Sequence, residues 1–279
     1  MNLASVGYAA GWRVVRALPE PVAQGLFRTA ADLAVRRGGK GIDRLTANLD
    51  RVAPGQDLTR EAVRSYARYW CEVFRLPSTD AAKLVQRTVT VDEHLLRDSV
   101  AGPRGTLMVL PHTGNWDAAG AWCGVTGVPF TTVAERLKPE SLYEQFLAFR
   151  QSLGMEVLPL GPGAFDVLEQ RLRDGGTLCL LADRDLTANG LDVRFFGATA
   201  RMPAGPARLA LATGANLLPT TLSFTDDGWR IRFHPYVAHT DVDTMTQDVA
   251  SAFEDAISDH PADWHMLQRL WVDDLEPAR

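Results

Sequence analysis

The sequence predicts an α/β protein: a central, mostly parallel sheet flanked by helices, with an N-terminal helical region ahead of it. Two observations carry this. After Gly105, short apolar runs bounded by glycine or proline alternate with stretches of helical period, the pattern of buried strands joined by crossover helices. From Asn2 to about Arg75, apolar positions recur at three- and four-residue steps, as at Val22, Leu26, Ala30 and Leu33, the period of helices packed by one face. The chain has 279 residues, 46% hydrophobic and 23% charged, enough for one large core. The organisation expected is a single domain over 1–279, helical over about 1–75 and α/β over about 88–279.

The N-terminal region reads as three or four helices, with Pro19, Pro21 and Pro54 as breaks. TLMVLP from Thr106 is the first buried strand, and GNWDAAGAWCGV the helix after it. PFTTVAE, MEVLPL and TLCLLAD are further strands, alternating with helices in PESLYEQFLAFRQSLG and AFDVLEQRLRDGG. Gly154 and Gly175-Gly176 stand where helix C-caps belong. A helix over about Ala204–Thr213 leads to ANLLPTTLSF and WRIRFHPYV, joined through Thr225-Asp226-Asp227-Gly228, a hairpin signal. The tail from Asp243 is expected to be helical and aromatic.

A net charge of −5 argues against nucleic acid as the main partner. Cys71, Cys123 and Cys179 lie in apolar surroundings without metal-ligand spacing and read as buried, reduced thiols. No apolar run approaches the ~18 residues of a membrane span. The N-terminus has no charged segment ahead of an apolar one, so a secretory leader is not expected.

The chemistry concentrates in LPHTGNWD. His112 ends a buried strand, and in open α/β sheets ligands bind at the carboxyl ends of the strands. Asp117, five residues on, falls in the first turns of the next helix. A histidine oriented by a carboxylate is a general base of fixed tautomer, and Asp117 is the expected orienting acid. A structural strand-end histidine is the bland alternative. There is no G-x-S-x-G elbow, no phosphate-binding P-loop and no H-E-x-x-H, so direct attack by a substrate hydroxyl assisted by His112 is the simplest chemistry.

His112 and Asp117 match the H-x4-D signature of the glycerolipid acyltransferase superfamily. The ordered set LPHTGNWDAAG, TTVAERLKPE, FRQSLGMEVLPL, LLADRDL, FFG with GPARLALATGANLLP, and DWHMLQRLW resembles its lipid A acyltransferase-like branch, and within it the phosphatidylinositol mannoside acyltransferases. That resemblance implies transfer of a long, palmitoyl-like acyl chain from acyl-CoA, with no cofactor or metal, to a mannose hydroxyl of a phosphatidylinositol mannoside. The location implied is peripheral, at the cytoplasmic face of the plasma membrane. It makes His112 the base and Asp117 its support, and puts Glu135, Arg150, Asp183, Arg184 and Asp185 in the family's charged blocks.

On their own surroundings these residues leave alternatives open. Glu135 and Arg136 end a predicted strand and so fall on the ligand edge. Arg150 sits within a helix, where a solvated arginine is the commoner case. Asp183, Arg184 and Asp185 could equally form a surface ion-pair cluster. Arg201, ahead of a helix, could meet the phosphates of coenzyme A or be a plain surface residue. Gly120 and Gly124 could leave an apolar slot for an acyl chain or simply permit close packing. Arg13, Arg16, Arg28, Arg36, Arg37, Lys40 and Arg44, interleaved with apolar residues, suit an anionic membrane surface or belong to ordinary helices packed on the catalytic body. The competing functions are an acyltransferase of the same branch with a lysophospholipid or another glycolipid as acceptor, a non-catalytic acyl-CoA or lipid-binding protein and, more remotely, a metal hydrolase using His260 and His265.

Overall fold

The computed structural model describes residues 12–134, 140–161, 163–185 and 190–275. After a helical stretch at 12–17 come α1 (Glu20–Arg37), α2 (Lys40–Val52), α3 (Thr59–Arg75), α4 (Ala81–Gln86), β1 (Thr88–Val91), α5 (Glu93–Ala101) and β2 (Thr106–Leu110). Next are α6 (Trp116–Val125), β3 (Thr131–Ala134), α7 (Glu140–Ser152), β4 (Glu156–Pro159), α8 (Ala164–Arg173) and β5 (Thr177–Leu181). The chain continues through β6 (Leu191–Phe195), β7 (Ala198–Met202), α9 (Gly205–Thr213), β8 (Asn216–Phe224), β9 (Trp229–Phe233), α10 (Val242–Asp259) and α11 (Val272–Leu275).

The α/β class holds. Seven strands form one sheet in the order β1-β9-β8-β2-β5-β3-β4, parallel at every pairing except the β8–β9 hairpin. Edge strand β1 was not read from the sequence, and neither was the separate β6–β7 hairpin. That hairpin turns through Phe196 and Gly197 at φ 47° and 74°, the left-handed pair a two-residue turn needs. Pro21 does not interrupt a helix: Pro19 and Pro21 bracket the start of α1, where a missing N–H costs nothing.

Alternation along β2 divides the core. Leu107 and Val109 pack with Leu178, Leu180 and Leu217 on one face of the sheet, and Met108 and Leu110 pack with Leu218 and Leu222 on the other. A third cluster lies among α1, α2 and α3. Asn48, fully buried on α2, donates to the Met266 and Gln268 carbonyls and accepts from Trp271 Nε1. It thereby ties the N-terminal helices to the C-terminal segment. Helix α10 is as expected, but residues 264–271 that follow it form no helix, and Trp264 and Trp271 are buried there as single anchors.

The space at Gly120 and Gly124 is filled. A Cβ on Gly120 would lie 2.4 Å from Met155 Cε, and one on Gly124 would lie 2.7 Å from the Leu153 carbonyl oxygen. Their smallness serves the approach of α6 to the end of α7, which removes the slot for an acyl chain at these two positions. Gly124→Ala must push backbone against backbone and should cost about 1–3 kcal/mol of stability. A lower Tm is the expected result; an unchanged one would contradict this packing.

Candidate active site

Register brings the site together. β2 and β5 run parallel with Leu110 opposite Leu181, and Ala182 N donates to Leu110 O at 2.8 Å. Two residues beyond that pair on each strand, His112 and Asp183 therefore meet at the carboxyl edge of the sheet. His112 Nδ1 lies 2.5 Å from Asp183 Oδ1, and the His112 backbone N–H donates to Oδ2 at 2.9 Å. Trp264 Nε1 donates to the same oxygen at 3.0 Å. Asp183 is fully buried. Burial alone would raise its pKa, but attraction to the imidazolium form of His112 and the hydrogen bonds from His112 and Trp264 outweigh it and hold the carboxyl below its ordinary value. Whenever the imidazole carries a single proton, an ionised Asp183 fixes it on Nδ1. Nε2 keeps its lone pair, and among the described residues no side chain bonds to it.

This corrects the expected pairing. Asp117 is not the acid on His112: it accepts from Tyr69 Oη at 2.8 Å and from Arg150 Nε and Nη2 at 2.8 and 3.4 Å. The reason is helical geometry. Asp117 is the second residue of α6, whose buried face looks toward α3 and α7, whereas His112 leans toward β5. Arg150 is accordingly not a solvated helix residue but the buried partner of Asp117, its pKa raised further by that charge against the opposing effect of burial. Burial and the Asp117 charge push the Tyr69 phenol well up, so it stays a donor.

The loop carrying His112 is clamped from the C-terminal segment. His265 N donates to His112 O at 2.8 Å and Gly114 N to Asp263 O at 2.9 Å. Gly114 has a φ of 53°, and a Cβ there would be 3.1 Å from Leu222 Cβ and Ser223 N. On the other side Asp263 accepts from Phe224 N and from Ser65 Oγ. Burial raises the Asp263 carboxyl. Because Ser65 Oγ gives its proton to Asp263, its lone pair faces His265 Nε2 at 3.0 Å, which donates. His265 Nδ1 is thus a buried acceptor without a partner among the described residues.

Two more buried polar atoms lack partners among the described residues: Trp116 Nε1 and Arg184 Nη1. The Trp116 ring stands 5.5 Å from that of His112 and 6.1 Å from that of His265, and Arg184 adjoins Asp183. Beside the base, then, one donor on Trp116 and one acceptor on His265 remain unsatisfied among the described residues, a pair that a group both donating and accepting hydrogen bonds, such as a hydroxyl, can satisfy.

The other predicted residues scatter. Glu135 and Arg136 lie outside the described residues. Asp185 N donates to Arg201 O, but the Arg201 guanidinium lies on Asp192 across the β6–β7 hairpin at 3.2 Å. His260 and His265 build no metal site, and among the described residues no cluster could hold an ion. Sequence reasoning missed Trp264, Tyr69 and Ser65. The available signal for the last two was a run of polar residues on an otherwise apolar face of α3.

Burial holds the His265 imidazole down to about 3 and the His234 imidazole down to about 4, from an ordinary 6.5. Both fold neutral and unfold into a form that binds a proton, so their contribution is complete above about 6.5 and is lost as pH falls toward those values. Asp263, raised, acts in the opposite direction. Tm should fall between pH 7 and pH 4, and should fall less in His234→Gln; an identical fall in that variant would contradict the assignment.

The chain matches the family model of bacterial lipid A biosynthesis acyltransferases over residues 3–273. It is 49% identical over 289 residues to a phosphatidylinositol mannoside acyltransferase of Mycolicibacterium smegmatis, an alignment covering 100% of this chain and 94% of that protein. A protein of the same name from Mycobacterium tuberculosis is 48% identical over 286 residues, covering 98% of this chain and 90% of that one.

Proposed function

Because the chain belongs to the bacterial lipid A biosynthesis acyltransferase family, we propose that it transfers a long acyl chain from acyl-CoA to a mannose hydroxyl of a phosphatidylinositol mannoside. The observation that carries the chemistry is the His112–Asp183 pair at the ligand edge of the sheet, with Nε2 unclaimed among the described residues. The acceptor follows the names of the relatives and fits the polar atoms of Trp116 and His265 that have no partner among the described residues.

In this mechanism the acceptor hydroxyl oxygen attacks the thioester carbonyl carbon while Nε2 takes the hydroxyl proton. The imidazolium so formed is stabilised by Asp183, whose buried carboxylate already faces Nδ1–H. When the tetrahedral intermediate collapses, the C–S bond breaks and the imidazolium returns its proton to the departing thiolate, leaving an ester and free coenzyme A. Asp117 takes no proton; it anchors Arg150 and Tyr69 beside the loop. A general base contributes about 10²–10⁴-fold in rate.

Release of free thiol from palmitoyl-CoA should therefore depend on added phosphatidylinositol mannoside and fall about 10²–10⁴-fold in His112→Ala and Asp183→Asn. In Asp117→Asn, Arg150 loses its ion partner, so the larger loss should be in Tm. Release that is slow and indifferent to this acceptor but stimulated by a lysophospholipid would replace the acceptor, and acyl-CoA binding without release would replace the reaction.

The acceptor is a lipid, and we place the protein peripherally on the anionic inner face of the plasma membrane. Support comes from Val22, Leu26 and Leu33, 48%, 56% and 48% exposed on α1, beside exposed Arg28, Arg36, Arg37 and Lys40. Arg44 is not part of this surface, being paired with Asp274. Among the described residues no helix is long and apolar enough to cross a membrane. Leu26→Glu with Leu33→Glu should weaken sedimentation with anionic vesicles while leaving Tm in place; undiminished sedimentation would contradict this surface.

A further inference from the structure

Helix α3 presents four polar side chains at i, i+3, i+4 and i+7 to the interior: Ser65, Arg68, Tyr69 and Glu72. That spacing is one stripe of an α-helix, and a buried stripe of this kind needs every group satisfied. Three of the four reach the surroundings of His112, and Arg68 supports the third, Glu72. Ser65 bonds Asp263 and His265, and Tyr69 bonds Asp117. Arg68 Nη1 and Nη2 donate to the carbonyls of Thr225 and Gly228 in the β8–β9 turn.

Glu72 is the least expected of them. It is 8% exposed and accepts three hydrogen bonds: from Arg68 Nε at 2.7 Å on Oε1, and from Asn115 Nδ2 at 2.8 Å and Trp229 Nε1 at 2.6 Å on Oε2. Asn115 is 2% exposed and lies inside the loop between His112 and Asp117. Its Oδ1 caps α6 by accepting from Ala118 N at 2.9 Å, which turns its amide nitrogen toward Glu72. Beyond the bonds of His112 to Asp183 and of Thr113 to β8, the loop is held by the backbone of 263–265 on one side and by this single carboxylate on the other.

We propose that Glu72 is a positioning residue for the acyl transfer, acting through Asn115 to fix the loop that sets His112 against Asp183. The proposal rests on the reaction proposed above, but its geometry makes a claim that can be read without turnover. Asn115 is the residue type this place requires. Aspartate would cap α6 as well but would set a second carboxylate against Glu72, a like-charge contact in a water-poor site.

The test is a double-mutant cycle of Glu72→Gln, Asn115→Asp and the two together. In the double variant the amide introduced on α3 can donate to the carboxylate introduced in the loop, while the oxygen of that amide accepts from Arg68. The contact returns with donor and acceptor exchanged, and only Trp229 is left short. Each single variant should lose about 10–100-fold in kcat with the KM for palmitoyl-CoA held within about twofold. Amide hydrogen exchange should quicken over residues 112–118 and stay unchanged in α10. The double variant should recover most of both losses. Exchange at 112–118 like wild type in Asn115→Asp, or a double variant no better than the product of the singles, would overturn the proposal. If the wild type transfers no acyl chain, the reaction proposed above fails, and hydrogen exchange alone decides the role of Glu72.

Discussion

The parallel register of β2 on β5 is the constraint on which the site depends. With Leu110 opposite Leu181, His112 and Asp183 leave their strands side by side, and the carboxylate reaches both the ring and the backbone N–H of one residue. A slip of one residue would turn every side chain of the strand to the opposite face. It would put Pro111 or Thr113 where His112 stands. The apolar alternation of β2 between the two halves of the core forbids that slip, so the packing of Leu107, Val109, Met108 and Leu110 also sets the chemistry.

Around that pair the protein arranges two further layers. The segment 263–265 pairs with the loop and supplies Trp264 to Asp183. Helix α3 then braces both the segment and the loop with a polar stripe, at the expense of apolar burial on a face turned to the core. Buried polar groups on this scale are costly unless each finds a partner. Here each stripe member does, and of the orphaned atoms among the described residues those of Trp116 and His265 belong to rings packed beside His112 and each other.

Much of the fold was legible in the sequence because periodicity reports burial directly. TLMVL, TLCLL and LLPTTLSF read as strands, and Gly154 and Gly175 end helices with φ values of 85° and 78°. β1 escaped because TVTV is four residues long at a half-covered edge, and the β6–β7 hairpin because its turn uses Phe196 in place of an Asn or Gly. The site was legible as to place but not as to pairing. His112 and Asp117 lie five residues apart in one motif, and proximity in sequence suggested a bond. Which strand lies beside β2 is a long-range fact that one sequence does not state, so the partner 71 residues away could be named as a charged residue but not joined to His112. Arg150 shows the same limit: a charge on a helix reads as solvated until the opposing element is known.

The central claim is that Asp183 holds the proton of His112 on Nδ1 and leaves Nε2 as the base. The ring-nitrogen ¹⁵N shifts of His112, assigned by comparison with His112→Ala and recorded at neutral pH in wild type and Asp183→Asn, test it most directly. The account predicts a protonated Nδ1 and an unprotonated Nε2 in the wild type, with that preference lost in the variant. A wild-type ring protonated on Nε2, or a tautomer that ignores the Asp183 substitution, would contradict it.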